Sequence, residues 1–125
     1  MNSAAQQLMS AGIFDETLTE VNQSVTEKRL ELNTGDIESC IAYAGTKAVV
    51  DEFVLIKATS GDGAENIKNS FNNHIEKQKK SYESYRPDEV PKLESAVVMT
   101  SGNYAVLIVS GDSAKAQKII KDCMK

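Results

Sequence analysis

The sequence has little of what most enzyme chemistry needs. It contains one histidine, His74, two cysteines, Cys40 and Cys123, and no tryptophan. Any histidine-based acid–base pair or metal site must therefore be built around His74, and Gln78 stands where a second ligand one helical turn on would be. The cysteines are far apart, with neither a Cys-x-x-Cys pair nor a histidine nearby. That excludes a zinc site and leaves two readings: small buried hydrophobes, or one long-range disulfide in an oxidising compartment. No Gly-x-Ser-x-Gly occurs, so no nucleophile of that type is encoded. No apolar run approaches the roughly 20 residues that cross a bilayer. Met1 to Gln7 has neither the basic nor the apolar region of a signal peptide, so the chain reads as cytoplasmic or as a processed form. Charges of both signs are interspersed and sum to −4, which leaves no footprint for a phosphate backbone and no nucleic-acid partner.

Prolines are also scarce, only Pro87 and Pro91, and the longest uninterrupted periodic stretch ends at the first of them. From Gly61 onward, Ala64, Ile67, Phe71, Ile75, Gln78, Tyr82 and Tyr85 recur every three or four residues, the period of one helix face. Asp62 and Glu65 suit the start of this helix, the lysines from Lys77 to Lys80 suit its later half, and Pro87 stops it. A helix of this length is longer than an average strand, so its last turns must overhang any sheet beneath it.

A chain of 125 residues is expected to form one domain, with an N-terminal helical segment (1–36), a first hairpin plus the long helix (37–86), and a second hairpin plus a C-terminal helix (87–125). Ser3 to Ala11 reads as a short helix. Ile13, Phe14, Leu18 and Val21 lie in an extended linker and reach into the core. Ser24 and Glu27 form a capping-box pattern opening a second short helix through Leu30 or Leu32, ended by the cluster Asn33 to Asp36. Strands are expected over Ile37–Ala44 and Val50–Ala58, joined by a turn at Gly45, Thr46 and Lys47, and over Ala96–Thr100 and Tyr104–Ser110, joined at Ser101, Gly102 and Asn103. In the first strand Ile37, Ile41 and Tyr43 share one face and Cys40, Ala42 and Ala44 the other. The run Phe53 to Ile56 and the strand from Tyr104 are apolar on both sides and need cover on both. Ser113 to Met124 is the last helix. The expected fold is α+β: a four-stranded antiparallel sheet from two β-hairpins in a ββαββα plan, with the two long helices on one face. The short N-terminal helices, or a partner subunit, would cover the other.

Candidate chemistry is thin. Ser60-Gly61-Asp62-Gly63 sits where phosphate loops lie but lacks the following Lys-Ser/Thr, and with Ser110-Gly111-Asp112 it reads as a capping turn. His74 reads either as a half-exposed helix histidine or as the partner of a carboxylate in a spatially assembled site. Asp51 and Glu52, adjacent on a strand, point to opposite faces and read as a solvated strand start or as cross-strand partners for a lysine. Lys77, Lys79 and Lys80 alternate with acids and form a solvated face. Tyr82, Tyr85 and Arg86, at the overhanging helix end, combine rigid area with polar tips and are the candidate partner-binding residues; their other reading is to lock the overhang onto the N-terminal segment.

The run Asp51 to Ala58, the helix segment Glu76 to Tyr85, the Tyr-x-Pro at Tyr85 to Pro87, and Ala96-Val97-Val98 followed by Gly102-Asn103-Tyr104 resemble an uncharacterised domain-of-unknown-function family of small secreted lipoproteins of Gram-positive bacteria. The resemblance covers most of Leu18 to Lys121. It implies an extracytoplasmic protein, membrane-anchored through a lipid on a segment this chain lacks, with no assigned activity. The expectation is a non-catalytic domain, with no cofactor, metal or catalytic residues, that binds a cell-envelope protein or small-molecule ligand and could form a homodimer. The alternatives are an enzyme using His74 and a structural oligomerisation module.

Overall fold

The computed structural model describes residues 2–46 and 48–123. In chain order these form α1 (Asn2–Ser10), β1 (Thr19–Glu20), α2 (Gln23–Leu30), β2 (Ile37–Ala44), β3 (Glu52–Ala58), α3 (Gly61–Tyr85), α4 (Val90–Glu94), β4 (Val97–Ser101), β5 (Tyr104–Val109) and α5 (Ser113–Cys123), with 3-10 turns at Thr34–Asp36 and Pro87–Glu89. Lys47 of the expected first turn and Met124 of the expected last helix lie outside the described residues.

The fold is α+β, but its open antiparallel sheet has five strands, in the order β1-β2-β3-β5-β4, and not four. The two expected hairpins are present, with β3 and β5 as the central pair. The extra strand is β1, which pairs Thr19 with Ala44 and Glu20 with Tyr43. Both its residues are exposed, so no alternation of apolar and polar side chains marks it in the sequence.

The helices also sit differently from expectation. Leu30 of α2 and Ala64, Ile67, Phe71, Ile75 and Tyr82 of α3 pack with Val54, Ile56, Ala105, Leu107 and Val109 on one sheet face. Leu8 of α1 and Ala116 and Ile120 of α5 pack with Phe53, Leu55, Val106 and Ile108 on the other. The two long helices are therefore on opposite faces. Each face of the doubly apolar strands needs a helix, and α5 with α1 supplies the second cover. The linker residues Ile13 and Leu18 are buried in that second layer, where Phe14 stacks on Phe53 with ring centroids 5.9 Å apart.

A register shift between Ile37 and Ser39 corrects the face assignment in β2. The bulge puts Ile37 on the α3 face with Cys40 and Ala42, while Ile41 and Tyr43 lie on the other. Cys40 thus packs against the α3 layer and Cys123 against the α5 layer, and both are free thiols. Burial, reinforced by the charge of Glu27, pushes the Cys40 thiol up to about 11.

Helix starts follow capping chemistry, at partly unexpected residues. The α2 cap is Asn22, whose side chain accepts from the Val25 N–H at 2.9 Å, in place of Ser24. Glu27 instead accepts from the side chains of Gln23 and Thr34, and Glu31, at φ 54, ends the helix. Ser60 caps α3 through Gly63 N–H at 3.0 Å, and Asp112 accepts from Lys115 N–H at 3.1 Å at the start of α5. Both Ser-Gly-Asp segments are capping turns, using different members of the motif. Gly102 takes φ 58, the residue choice and sign of a type II′ hairpin.

Two substitutions gauge these layers. Phe53→Ala, emptying a fully buried site between Phe14 and Tyr43, is expected to cost about 3–5 kcal/mol in a denaturant titration. Ser60→Ala, removing one cap, is expected to cost about 1 kcal/mol.

Candidate functional site

The 25 residues of α3 outrun the sheet. The chain turns from the end of β3 into the helix and runs back over it. The stretch from Gly61 to His74 rises roughly 20 Å, about the length of β3, which brings His74 level with Glu52 at the strand's start. The helix runs on past His74 to Tyr85, with Ile75 and Tyr82 still buried in the core, and its last turns overhang the strand. Beneath the overhang lies a groove of about 650 Å³, within the usual size for ligand sites, about 300–1,000 Å³. One wall is Gln78, Ser81, Tyr82 and Tyr85 of α3; the other is Val25 and Arg29 of α2 with Thr19 to Val21; the β2–β3 connection closes the end. The lining is mainly apolar and aromatic.

Glu52 forms part of the floor. It is 2 % exposed, accepts from Arg29 Nη2 at 2.8 Å on one oxygen, and lies 2.9 Å from His74 Nε2 on the other. Burial pushes its carboxyl up. The hydrogen bonds and charges of His74 and Arg29 outweigh that and hold it below the usual carboxylate range. The expectation of a half-exposed His74 is thereby corrected: the ring is 8 % exposed and packed against an acid. His74 itself is not among the groove-lining residues, so its contribution to the floor runs through Glu52.

Asp51 lines the same groove but serves a second cluster. Lys92 of α4 bonds Asp51 at 2.7 Å, Glu89 at 3.1 Å and Asp15. Asp51 also accepts from Asp15 N–H at 2.9 Å, and Glu89 from Val50 N–H at 3.0 Å. Burial pulls the Lys92 ammonium down, but its three carboxylate partners more than reverse this and hold it above the ordinary lysine value. Asp51 and Glu52 have different ion partners, and both are buried, not a solvated strand start. Together they tie the start of β3 to α2 and α3 through Glu52 and to α4 through Asp51.

The candidate binding residues separate into two roles. Tyr82 and Tyr85 meet edge-to-face, with ring centroids 5.7 Å apart, and both line the groove. Tyr82 is buried, whereas Tyr85 is 62 % exposed despite falling on the apolar period of the helix. Arg86 turns away and donates to Ala48 C=O at 2.8 Å and to Asp88 at 3.1 Å, strapping the β2–β3 connection to the helix end. Among the described residues the exposed large hydrophobics are Val25, Tyr85 and Tyr104, and the first two stand on opposite walls of this one groove. Val25 and Arg29 escaped the sequence reading, and Glu52, read as a solvated strand start or a cross-strand partner for a lysine, is buried against His74 and Arg29. The missed signal for Glu52 is parity, which places it on the same strand face as Val54 and Ile56.

Arg29 donates to Glu52 through Nη2, and a guanidinium carries five N–H donors. The groove can therefore hold a molecule with an apolar body against Val25 and the tyrosines and an acceptor against Arg29. Among the described residues no His, Cys, Asp or Glu group is arranged to hold a metal ion, and no helix is long and apolar enough to cross a membrane.

A family model described as a domain of unknown function (DUF4358) matches residues 13–110. No curated protein and no solved structure matches the chain. The matched segment contains the whole groove and both ionic clusters.

Glu52→Gln is expected to cost about 3 kcal/mol near neutral pH, since it strands Arg29 and His74 beside a neutral group. Because the folded carboxyl titrates below its ordinary value of 4.5, this difference is present above that pH and shrinks as the pH falls through the folded pKa. Denaturant titrations at pH 7 and pH 3 check both the size and the direction.

Proposed function

The chain belongs to the DUF4358 family of domains of unknown function, and on that premise we propose that it is a non-catalytic binding domain whose site is the groove beneath the end of α3. The observation that carries this reading is the groove itself: about 650 Å³, with two exposed apolar side chains, Val25 and Tyr85, facing each other across it. Exposed apolar side chains gathered at one concavity mark a binding site more often than a scatter of single ones does. The ligand class is a small molecule, or a side chain of a cell-envelope protein, with an apolar body and a hydrogen-bond acceptor for Arg29.

A second reading, an enzyme built on His74, draws on one observation, the 2.9 Å contact with Glu52. A histidine held by a carboxylate resembles part of a hydrolytic triad. Two features favour binding over catalysis. His74 is not a groove-lining residue, and Glu52 already carries Arg29, which makes the trio a structural tie between α2, β3 and α3.

We extend the proposal to location. The motifs shared with small secreted lipoproteins of Gram-positive bacteria support an extracytoplasmic domain held at the membrane by a lipid in a longer form. Fatty-acid labelling and fractionation of the native host test this, and an unlabelled cytosolic protein overturns it.

For the groove, nuclear magnetic resonance titration with a library of amphipathic fragments is expected to move the signals of Val21, Val25, Arg29, Tyr82 and Tyr85 together. Tyr85→Ala is expected to weaken the best fragment by about tenfold. His74→Gln is expected to leave fragment binding within about twofold while lowering stability. Fragments that bind elsewhere, or equally well to a Val25→Asp/Tyr85→Ala double variant, overturn the proposal.

A further inference from the structure

The wall of the groove formed by β1 is also an edge of the sheet, and the register places its free backbone groups. Val21 N–H donates to Ala42 C=O at 2.9 Å, which continues the pairing of Thr19 with Ala44 and Glu20 with Tyr43. Val21 and Ala42 are therefore a hydrogen-bonded pair, and Glu20 and Tyr43, one step along, are not. The N–H and C=O of Glu20 consequently point away from the sheet. Both residues of β1 are exposed, and among the described residues no turn, loop or side-chain group bonds the Glu20 backbone.

The same edge divides two hollows, one on each face of the sheet. Val21 packs with the α3 layer, and the groove lies on that side. Glu20, one residue off, projects with its partner Tyr43 onto the other face. There a second hollow of about 420 Å³ is lined by Ala5 and Met9 of α1, Ile41 and Tyr43 of β2, and Glu20 itself. Glu20 thus borders both hollows. It is the one charged residue of the second, and among the described residues its carboxylate has no ion partner.

Resting on the reading of the groove as a binding site, we propose that its occupant is an extended peptide segment of a partner protein, added to the sheet antiparallel to β1, with a basic residue opposite Glu20 and an apolar residue on each side of it. A small molecule fills one hollow. Successive side chains of an extended chain point to opposite faces and so fill both, while its backbone takes up the N–H and C=O of Glu20. The peptide residue opposite Glu20 shares its face, so a lysine or arginine there meets the unpaired carboxylate and lays its aliphatic stem on Ile41 and Tyr43. Its two neighbours turn to the α3 face, opposite Thr19 and Val21, and enter the groove towards Val25 and Tyr85. Charge selects the same occupant: a chain of net charge −4 attracts a basic segment and repels a second copy of itself.

Nuclear magnetic resonance titration of the full chain with a synthetic peptide tests the pairing. The probe is a capped nonapeptide with lysine at its centre, leucine before it, phenylalanine after it, and serine and threonine elsewhere. Signals on both faces are expected to move together, Val25 and Tyr85 in the groove and Met9 and Ile41 in the second hollow, with the Glu20 amide between them. N-methylation of the central lysine removes the donor to Glu20 C=O and is expected to weaken binding about tenfold. N-methylation of the phenylalanine, whose N–H faces away from β1, is expected to leave binding within about twofold. Glu20→Lys is expected to weaken the lysine-centred peptide about fivefold, and a glutamate-centred peptide is expected to bind this variant better than the wild type. A peptide that does not bind, one that moves the groove signals alone, equal losses from the two N-methylations, or a Glu20→Lys variant that binds both peptides as the wild type does each overturns the proposal. Amphipathic fragments that still bind the groove in that case leave the groove reading standing. If neither fragments nor peptide move Val25 and Tyr85, both fall.

Discussion

The central strands β3 and β5 carry apolar side chains on both faces, and the placement of every long helix answers to that. Phe53, Leu55, Val106 and Ile108 face one way, and Val54, Ile56, Leu107 and Val109 the other. Leaving either set in water would forfeit about 1.5–3 kcal/mol for each large side chain. One face takes α3, aided by α2; the other takes α5 and α1. The family match, residues 13–110, ends short of both helices on that second face.

Where the doubly apolar strand begins, the chain places two acids, and each gathers its own ion partners. Glu52 draws in Arg29 and His74, and Asp51 draws in Lys92 with Asp15 and Glu89. Such buried ionic groups add little net stability against an apolar replacement, but losing one partner costs about 3–5 kcal/mol. Their effect is positional. α2 has only Thr26 and Leu30 buried; it packs on α3 and β2, and its Arg29 ties it to the start of β3. α4 is held likewise through Lys92.

Much of this was legible from residue spacing. The period of α3 from Ala64 to Tyr82, the two hairpins, the tight turn at Gly102 and the need to cover both faces of Phe53 to Ile56 all follow from local pattern. What spacing leaves open is which face each helix chooses, since an amphipathic stripe such as Ala116 and Ile120 fits either side equally well. β1 was illegible because pairing through the backbone of Thr19 and Glu20 leaves no mark on their side chains. In the site, Tyr82 and Tyr85 stood out by position, and their neighbours did not. Arg29 and Val25 read as an ordinary polar helix surface until α2 is laid beside α3. His74 looked half-exposed because the helix period alone does not show an acid waiting at the start of a neighbouring strand.

The overhang of α3 separates two duties along a single helix. Up to His74 the helix is committed to the sheet, and a change of length there would shift Ile67, Phe71 and Ile75 out of register with their partners. Beyond Ile75 only Tyr82 is buried in the core, and Gln78, Ser81 and Tyr85 face the groove. Exchanging Gln78, Ser81 or Tyr85 would therefore reshape the groove wall while the folded core stays as it was. The shape of the groove is thus set apart from the stability of the sheet, at the tip of one helix.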